Sequence, residues 1–441
     1  MSVNQEEDQK EAQAEEQKVH TQEASESGED YSFLQETVKD EQVNGKNIWN
    51  NVWNTFGKTA CRGLVFGLTA CLAFCALKPW ASAHLSGNQV TIPQDDEEET
   101  ADQEPDTEEE AGEVVEYPDL TVEDYCEMNR ALYQVALTAG KCVAEVRAVH
   151  EEDGWENTKF DAVDSVSGVI VWNDGTDILV VAPSRVLKDA SRIRISLCDN
   201  TEHEAVLKKQ DRNLGLAVFA VSRGLLSDST MSQIQVASLG NSNIVNRGDA
   251  VIALGKNFGY SGGTGYGIIS SVKHRVAAAD GEYRILTTDI PAADKGSGVL
   301  FNLNGEVVGI ADQTISEKSP LVTAYAISGI KESIELLSNG RGVPYLGIHG
   351  VEVTESIFQE KGIPEGLYVR GVDVDSPAMK AGIQNGDVLT QINKTDIASV
   401  AGYTKKLREF NVDDAIRIKG QRQGNSGYVE IAFDVTVGSK E

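Results

Sequence analysis

From residue 142 to residue 329 the chain alternates short Val- and Ile-rich runs with clusters of Gly, Asn and Asp. The runs include "CVAEVRAV", "SGVIVWNDGTDILVVA", "RIRISL", "GLAVFAV", "GDAVIALG", "TGYGIISSV", "YRILTTDI", "SGVLFNLNGEVVGIA" and "LVTAYAISG". Many short strands with turn signals at close spacing fold as an all-β sandwich or barrel. "NDGT" at 173–176 and "NLNGE" at 302–306 read as hairpin turns, in which Gly supplies the positive φ. Helical patterns are confined to the ends of this region. "VEDYCEMNRALYQVALTAG" leads in, and "ISGIKESIELLSNG" leads out with Gly340 as its C-terminal cap. The full length of 441 residues is too great for one ordinary core, so further folded units are expected.

The net charge of −30 is unevenly placed. Residues 1–45 hold 13 Asp and Glu against three Lys, and residues 91–127 hold 17 Asp and Glu with no Lys or Arg. A net of −7 remains for 128–441, ordinary for a soluble surface. The two acidic stretches repel themselves and are expected to be disordered: a tail over 1–58 and a linker over 82–127. No basic stripe exists to neutralise phosphates, which excludes nucleic acid as a partner. The six cysteines contain no C-x-x-C spacing, so a zinc site or disulfide framework is not expected.

"GLVFGLTACLAFCAL" at 63–77 is an uninterrupted apolar run between Arg62 and Lys78. Extended to 59–81 it approaches the ~20 residues a bilayer core requires, with Arg62 and Lys78 reaching the headgroups. Trp49, Trp53 and Trp80 stand where interfacial anchors belong. Lys46, Lys58 and Arg62 precede the run and only Lys78 closely follows it, which places the N-terminus in the cytoplasm and the folded part outside. A buried core helix would find nothing to pack against in its acidic flanks. A cleaved signal peptide ending at "ASA", 81–83, would need an N-region far longer than such peptides have.

Two longer stretches resemble a known family. "VASLGNSNIVNRGDAVIALGKNFGYSGGTGYGIISSV" and "TTDIPAADKGSGVLFNLNGEVVGI" are similar to the corresponding segments of HtrA/Deg proteases, the second matching the segment that carries their nucleophile. The resemblance implies a chymotrypsin-type double β-barrel over 128–340 and a Ser–His–Asp triad in the chain order His, Asp, Ser. In such a triad an imidazole takes the serine proton and a carboxylate holds the imidazole. In the histidine-bearing segment, "SGVIVWNDGTDILVVAPSRVL", Ser184 takes the histidine's place. In "DRNLGLAVFAV", Gly215 takes the aspartate's place. Counted forward from "TTD", Ser297 falls on the nucleophile; counted backward from "VLFN", Gly296 does, because one residue is missing. Lys295 and Gly296 would belong to the oxyanion-type loop. Removing triad members lowers turnover by about 10⁴ to 10⁶, so the resemblance implies a protease-like domain with its activity in doubt. His150, His203 and His274 are the histidines available nearby as a relocated base, and Lys295 raises a Ser–Lys pairing. No metal or cofactor is expected.

The segment 343–438 resembles an HtrA-type PDZ domain, most fully in "SPAMKAGIQNGDVLTQIN". "YLGI", Tyr345, Leu346, Gly347 and Ile348, takes the place of its carboxylate-binding loop. Such a loop offers successive backbone N–H groups to a peptide C-terminus, and the peptide adds as a strand. "VAGYTKKLREF" would form the opposite wall, with His349 near the ligand. The resemblance implies peptide or protein C-termini as partners, a bacterial cell-membrane location, a possible homo-oligomer, and a role as sensor or scaffold in protein quality control; an active serine endopeptidase is the alternative.

Overall fold

Period-2 burial on both faces explains why so many strands read as continuous apolar runs. In strand β2 (Ser165–Asn173) and β3 (Asp177–Pro183), Ile170, Ile178, Val180 and Ala182 fill one core while Val169, Val171, Leu179 and Val181 fill another. Alternate residues of one strand point to opposite faces. Here one face lines the interior of a barrel and the other packs against a second barrel. The computed structural model describes residues 89–95, 119–149, 165–315 and 319–441, all within one body, Asn88–Glu441.

The first barrel comprises β1 (Val143–Val149), β2, β3, β4 (Arg192–Ser196), β5 (Glu202–Asp211) and β6 (Leu216–Ser222). Its strand order is β1-β2-β3-β6-β5-β4, closed by pairing of β1 with β4. The second comprises β7 (Ala250–Gly255), β8 (Gly263–Ala278), β9 (Gly281–Pro291), β10 (Ser297–Phe301), β11 (Val307–Asp312) and β12 (Leu321–Ala326). It runs β10-β11-β12-β9-β8-β7 and closes through β7 and β10. Closure removes the sheet edges that would otherwise invite aggregation. Both expected hairpin turns are present, with Gly175 and Gly305 at positive φ.

Helix α1 (Val122–Ala139) leads in, started by a capping box between Thr121 and Asp124. A six-residue helix, α2 (Asp228–Gln233), sits between the barrels, so helix is not confined to the ends; Ser227 caps it by accepting from the Thr230 N–H. Helix α3 (Lys331–Ser338) leads out, and Gly340 just beyond it has φ +70°. The stretch expected to be a disordered linker contains a packed segment. Val90 and Ile92 are buried, their N–H groups donate to Asn339 and Glu335, and Asp95 pairs with buried Lys331 at 2.8 Å. The apolar side of α3, Ile334 and Leu337, is the surface on which they close. The linker reading also ran through residue 127, six residues into α1. The expected membrane span, 59–81, and the N-terminal tail lie outside the described residues. Among the described residues no helix is long and apolar enough to cross a membrane.

The third element is a sheet in the order β13-β14-β15-β17-β18. Its strands are β13 (Ile348–Val353), β14 (Gly366–Val372), β15 (Val388–Ile392), β17 (Ala415–Gly424) and β18 (Gly427–Thr436), with β16 (Thr395–Asp396) paired to β15. Helices α4 (Glu355–Lys361), α5 (Pro377–Lys380) and α6 (Val400–Arg408) accompany it. Leu367, Leu389, Ile418, Tyr403 and Leu407 form its core, which places α6 against the sheet. Strand β13 is an edge strand.

Candidate functional site

The loop from Ala292 to Gly296 joins β9 to β10 and leads into Ser297. Ser297 begins β10 and is fully buried. Its hydroxyl accepts the Ser167 N–H at 2.9 Å, and the Ser167 hydroxyl donates to the Ser297 carbonyl at 3.1 Å. The Ser167 hydroxyl also accepts the Lys256 N–H at 2.7 Å. Ser297 therefore stitches the two barrels together through β2. Its N–H lies 3.4 Å from the Lys256 carbonyl, and the Gly296 N–H donates to Ala293 at 2.9 Å. The Ser297 N–H is thus directed at a protein carbonyl, whereas an oxyanion hole holds its donors free for the substrate oxygen. Gly296, the other register for the nucleophile, has no side chain, and a Cβ there would stand 2.6 Å from the Asn257 carbonyl oxygen.

Ser184 opens the short helical turn after β3, and its N–H donates to the Gly215 carbonyl at 2.8 Å. The fold thus brings together the two positions where the resemblance expects a base and its carboxylate. Arg185 is the residue that sequence reasoning passed over here. Its Nη2 donates to the Lys295 carbonyl at 2.7 Å and its Nε to Asp312 at 3.2 Å. A guanidinium fork thereby bridges the end of β3, the site loop and β11. Lys295 has φ +58° and is exposed, while the Ser297 hydroxyl faces Ser167; the two are not brought together as a pair. Among the described residues the histidines lie elsewhere. His203 bonds Thr201, His274 is exposed on β8, and His349 pairs with Asp373. His150 lies outside the described residues. A serine without an imidazole partner is a weak nucleophile.

The second site is the "YLGI" loop leading into β13. Gly347 has φ +86°, and a Cβ there would stand 2.4 Å from the Ser376 Cβ, so only Gly fits. This conformation turns three successive N–H groups to one side. They meet an acceptor from the second barrel, Asp280, at the tip of the β8–β9 hairpin. Asp280 Oδ2 accepts from Leu346 and Gly347, both at 2.7 Å, and Oδ1 accepts from Ile348 at 3.0 Å. The Tyr403 hydroxyl donates to Oδ1 at 2.5 Å. The Asp280 N–H donates to the Ile348 carbonyl at 2.7 Å, and Thr404 donates to the Asp280 carbonyl at 2.8 Å. Burial raises the pKa of this carboxyl, and the hydrogen bonds from Gly347, Tyr403, Ile348 and Leu346 oppose that rise.

Beside the loop, Asp373 is a second organising carboxylate. Burial raises its pKa, but hydrogen bonds from Lys440, Tyr345 and His349 outweigh it and hold the group down at about 2. Tyr345 donates to Asp373 at 2.5 Å, and Lys440 at 2.7 Å, so these side chains brace the loop from outside. Beyond Asp280 a cavity of about 90 Å³ runs between β13 and α6, lined by Ile348, Val351, Leu367, Val400 and Tyr403 and by the hairpin's Gly281. Leu346 is in the sheet's core. Asp280 carried no signal in sequence: "AADGEY" reads only as a tight turn.

The known proteins to which the chain is similar agree with this architecture. Residues 166–310 match the trypsin-like peptidase domain family, and residues 344–433 match the PDZ domain family. The chain is 30% identical over 281 residues to the serine protease Do-like HtrB of Bacillus subtilis, covering 59% of this chain and 60% of that protein. It is 29% identical over 281 residues to a probable periplasmic serine endoprotease DegP-like of Pseudomonas putida, covering 62% and 55%. The chain thus spans little more than half the length of these curated relatives. Among solved structures, the HtrA-type protease AlgW with tripeptide superimposes with a TM-score of 0.50 at 21% identity, over 69% of this chain and 97% of that one. Two closed barrels followed by a PDZ sheet give the chain a trypsin-like peptidase domain with a C-terminal PDZ domain, similar to the HtrA-type serine proteases.

Proposed function

We propose that this chain is a membrane-anchored HtrA-family protein that senses or scaffolds rather than cleaves, with its PDZ domain binding peptide or protein C-termini. One observation carries the reading: the Ser297 hydroxyl is buried and engaged by the Ser167 N–H; the family resemblance sets Ser184 and Gly215 at the histidine and aspartate positions. Binding of C-termini is supported by the three convergent N–H groups of Leu346, Gly347 and Ile348, by the open edge of β13, and by the tripeptide bound to the related AlgW. The apolar run at 59–81 and the charge bias around it support an anchor in a bacterial cell membrane, with the folded domains extracytoplasmic. The periplasmic description of the Pseudomonas relative accords with that side. Homo-oligomerisation belongs to the same reading, and protein quality control is the setting it suits.

The second reading is an active serine endopeptidase, favoured by the protease names of the relatives. Casein digestion by the purified full-length protein, with Ser297→Ala alongside, separates the two. The proposal expects equal, background-level release of fragments from both. Turnover by the wild type that Ser297→Ala abolishes overturns it.

A further inference from the structure

We propose that Asp280 is an internal ligand of the PDZ domain, and that a peptide C-terminus enters the carboxylate-binding loop only by displacing the β8–β9 hairpin of the second barrel. The inference rests on the reading of the PDZ domain as a C-terminus binder and adds what stands in its way.

A bound C-terminal residue needs three things from such a domain. Its carboxylate needs the loop's N–H groups, its own N–H needs a carbonyl on the edge strand, and its side chain needs an apolar slot. Asp280 takes the first two. Its side-chain carboxylate spans the N–H groups of Leu346, Gly347 and Ile348, and its backbone N–H reaches the Ile348 carbonyl on β13. Charge-assisted bonds of this kind are about twice as strong as neutral ones. The slot between β13 and α6 remains as a cavity beyond the hairpin. The hairpin tip is shaped for the task. Asp280 sits at φ +63°, a conformation Asp and Asn accept more readily than other non-Gly residues. Asn213 holds the tip by donating to the Ala279 carbonyl at 2.7 Å, and Thr404 holds it from the α6 side. A hydroxyl from α6, Tyr403, completes the cradle. Every donor that would greet a foreign carboxylate already serves Asp280, so the two occupants exclude each other.

Asp280→Asn tests this with little change of volume or backbone preference. Each carboxylate oxygen accepts from two donors, so either orientation of the amide turns its NH₂ towards N–H or O–H groups. Full-length wild type and variant, in mild detergent, would be titrated with fluorescein-labelled decapeptides ending in Val, Leu or Phe. Each peptide is used as the free carboxylate and as the amide. The proposal expects the variant to bind carboxylate peptides at least tenfold more tightly than the wild type, with the amides unchanged. It also expects the amides of Leu346, Gly347 and Ile348 to exchange hydrogen faster in the peptide-free variant. Equal carboxylate affinity in the two proteins, with exchange unchanged, overturns it. If neither protein prefers carboxylate to amide while exchange still quickens, the peptide-binding reading falls and the competition falls with it. Tyr403→Phe, which removes one donor and leaves the three N–H groups, is the second variant should the first not fold; it is expected to bind carboxylate peptides two- to fivefold more tightly than the wild type, and unchanged affinity counts against the proposal.

Discussion

A serine flanked by glycines has two opposite uses, and the proposed function puts Ser297 to the structural one. Its hydroxyl is the acceptor for an inter-barrel N–H, so Ser297→Ala strands the Ser167 N–H in a dry interface. Leaving a buried donor unmade costs about 1–3 kcal/mol, and a denaturant midpoint should fall accordingly; a nucleophile in an open cleft would show no such loss. The same geometry predicts that Ser184→His combined with Gly215→Asp does not restore casein cleavage. Gly215 has open space around it and φ +72°, a left-handed conformation that Asp accepts more readily than other non-Gly residues, so the variant should fold with some loss of stability. The obstacle is the buried hydroxyl and the Ser297 N–H turned to the Lys256 carbonyl. Turnover in that double variant would refute this account. In sequence, Ser184 and Gly215 could be set beside the family's histidine and aspartate because "APSRVL" and "NLGLAVF" keep the strand pattern around them. The one-residue deletion before "VLFN" was not resolvable there, since register in a loop is fixed by contacts such as Asn257 against Gly296.

At the level of elements, the strands were readable because each carries β-branched residues between turn formers, and both faces of β2 and β3 are apolar. The packed strap at 89–95 was not readable, because two apolar residues in an acidic stretch give no periodicity. Its place depends on the groove beside α3. Ile92→Ala should therefore destabilise the protein by about 2–5 kcal/mol, the range for a large-to-small change at a buried position, whereas a linker residue would leave the melting temperature unmoved. The carboxylate loop is the other element with a sharp requirement. Gly347→Ala imposes a Cβ against Ser376 and a left-handed conformation on a residue that resists it. Peptide affinity measured in the Asp280→Asn background should drop more than tenfold, with the barrels' stability unaffected.

On the scale of the whole molecule, the barrels and the PDZ sheet meet around a small cleft lined by Asp211, Asn213, Tyr283, Tyr345 and Arg408. Burial pushes the Asp211 carboxyl up to about 6, against the pull of the Asn213 and Leu214 N–H groups and of Lys440 and Arg408. The folded form therefore holds this proton more tightly than the unfolded chain does. Stability is highest below the unfolded pKa and declines as pH rises through about 6. Between pH 5 and 7.5 the decline is about 1–2 kcal/mol, and Asp211→Asn should flatten it, as denaturant midpoints at the two pH values would record. This junction was beyond the reach of the sequence because its partners lie far apart in the chain and meet only once three folded units dock. The same docking sets a consequence for Asp280. A tethered competitor acts at an effective concentration in the millimolar range, and if the loop is closed 99% of the time a free terminus binds about 100-fold more weakly than its intrinsic affinity. Such a receptor answers over a higher range of concentration: dilute chain ends pass unregistered, while abundant ones are bound.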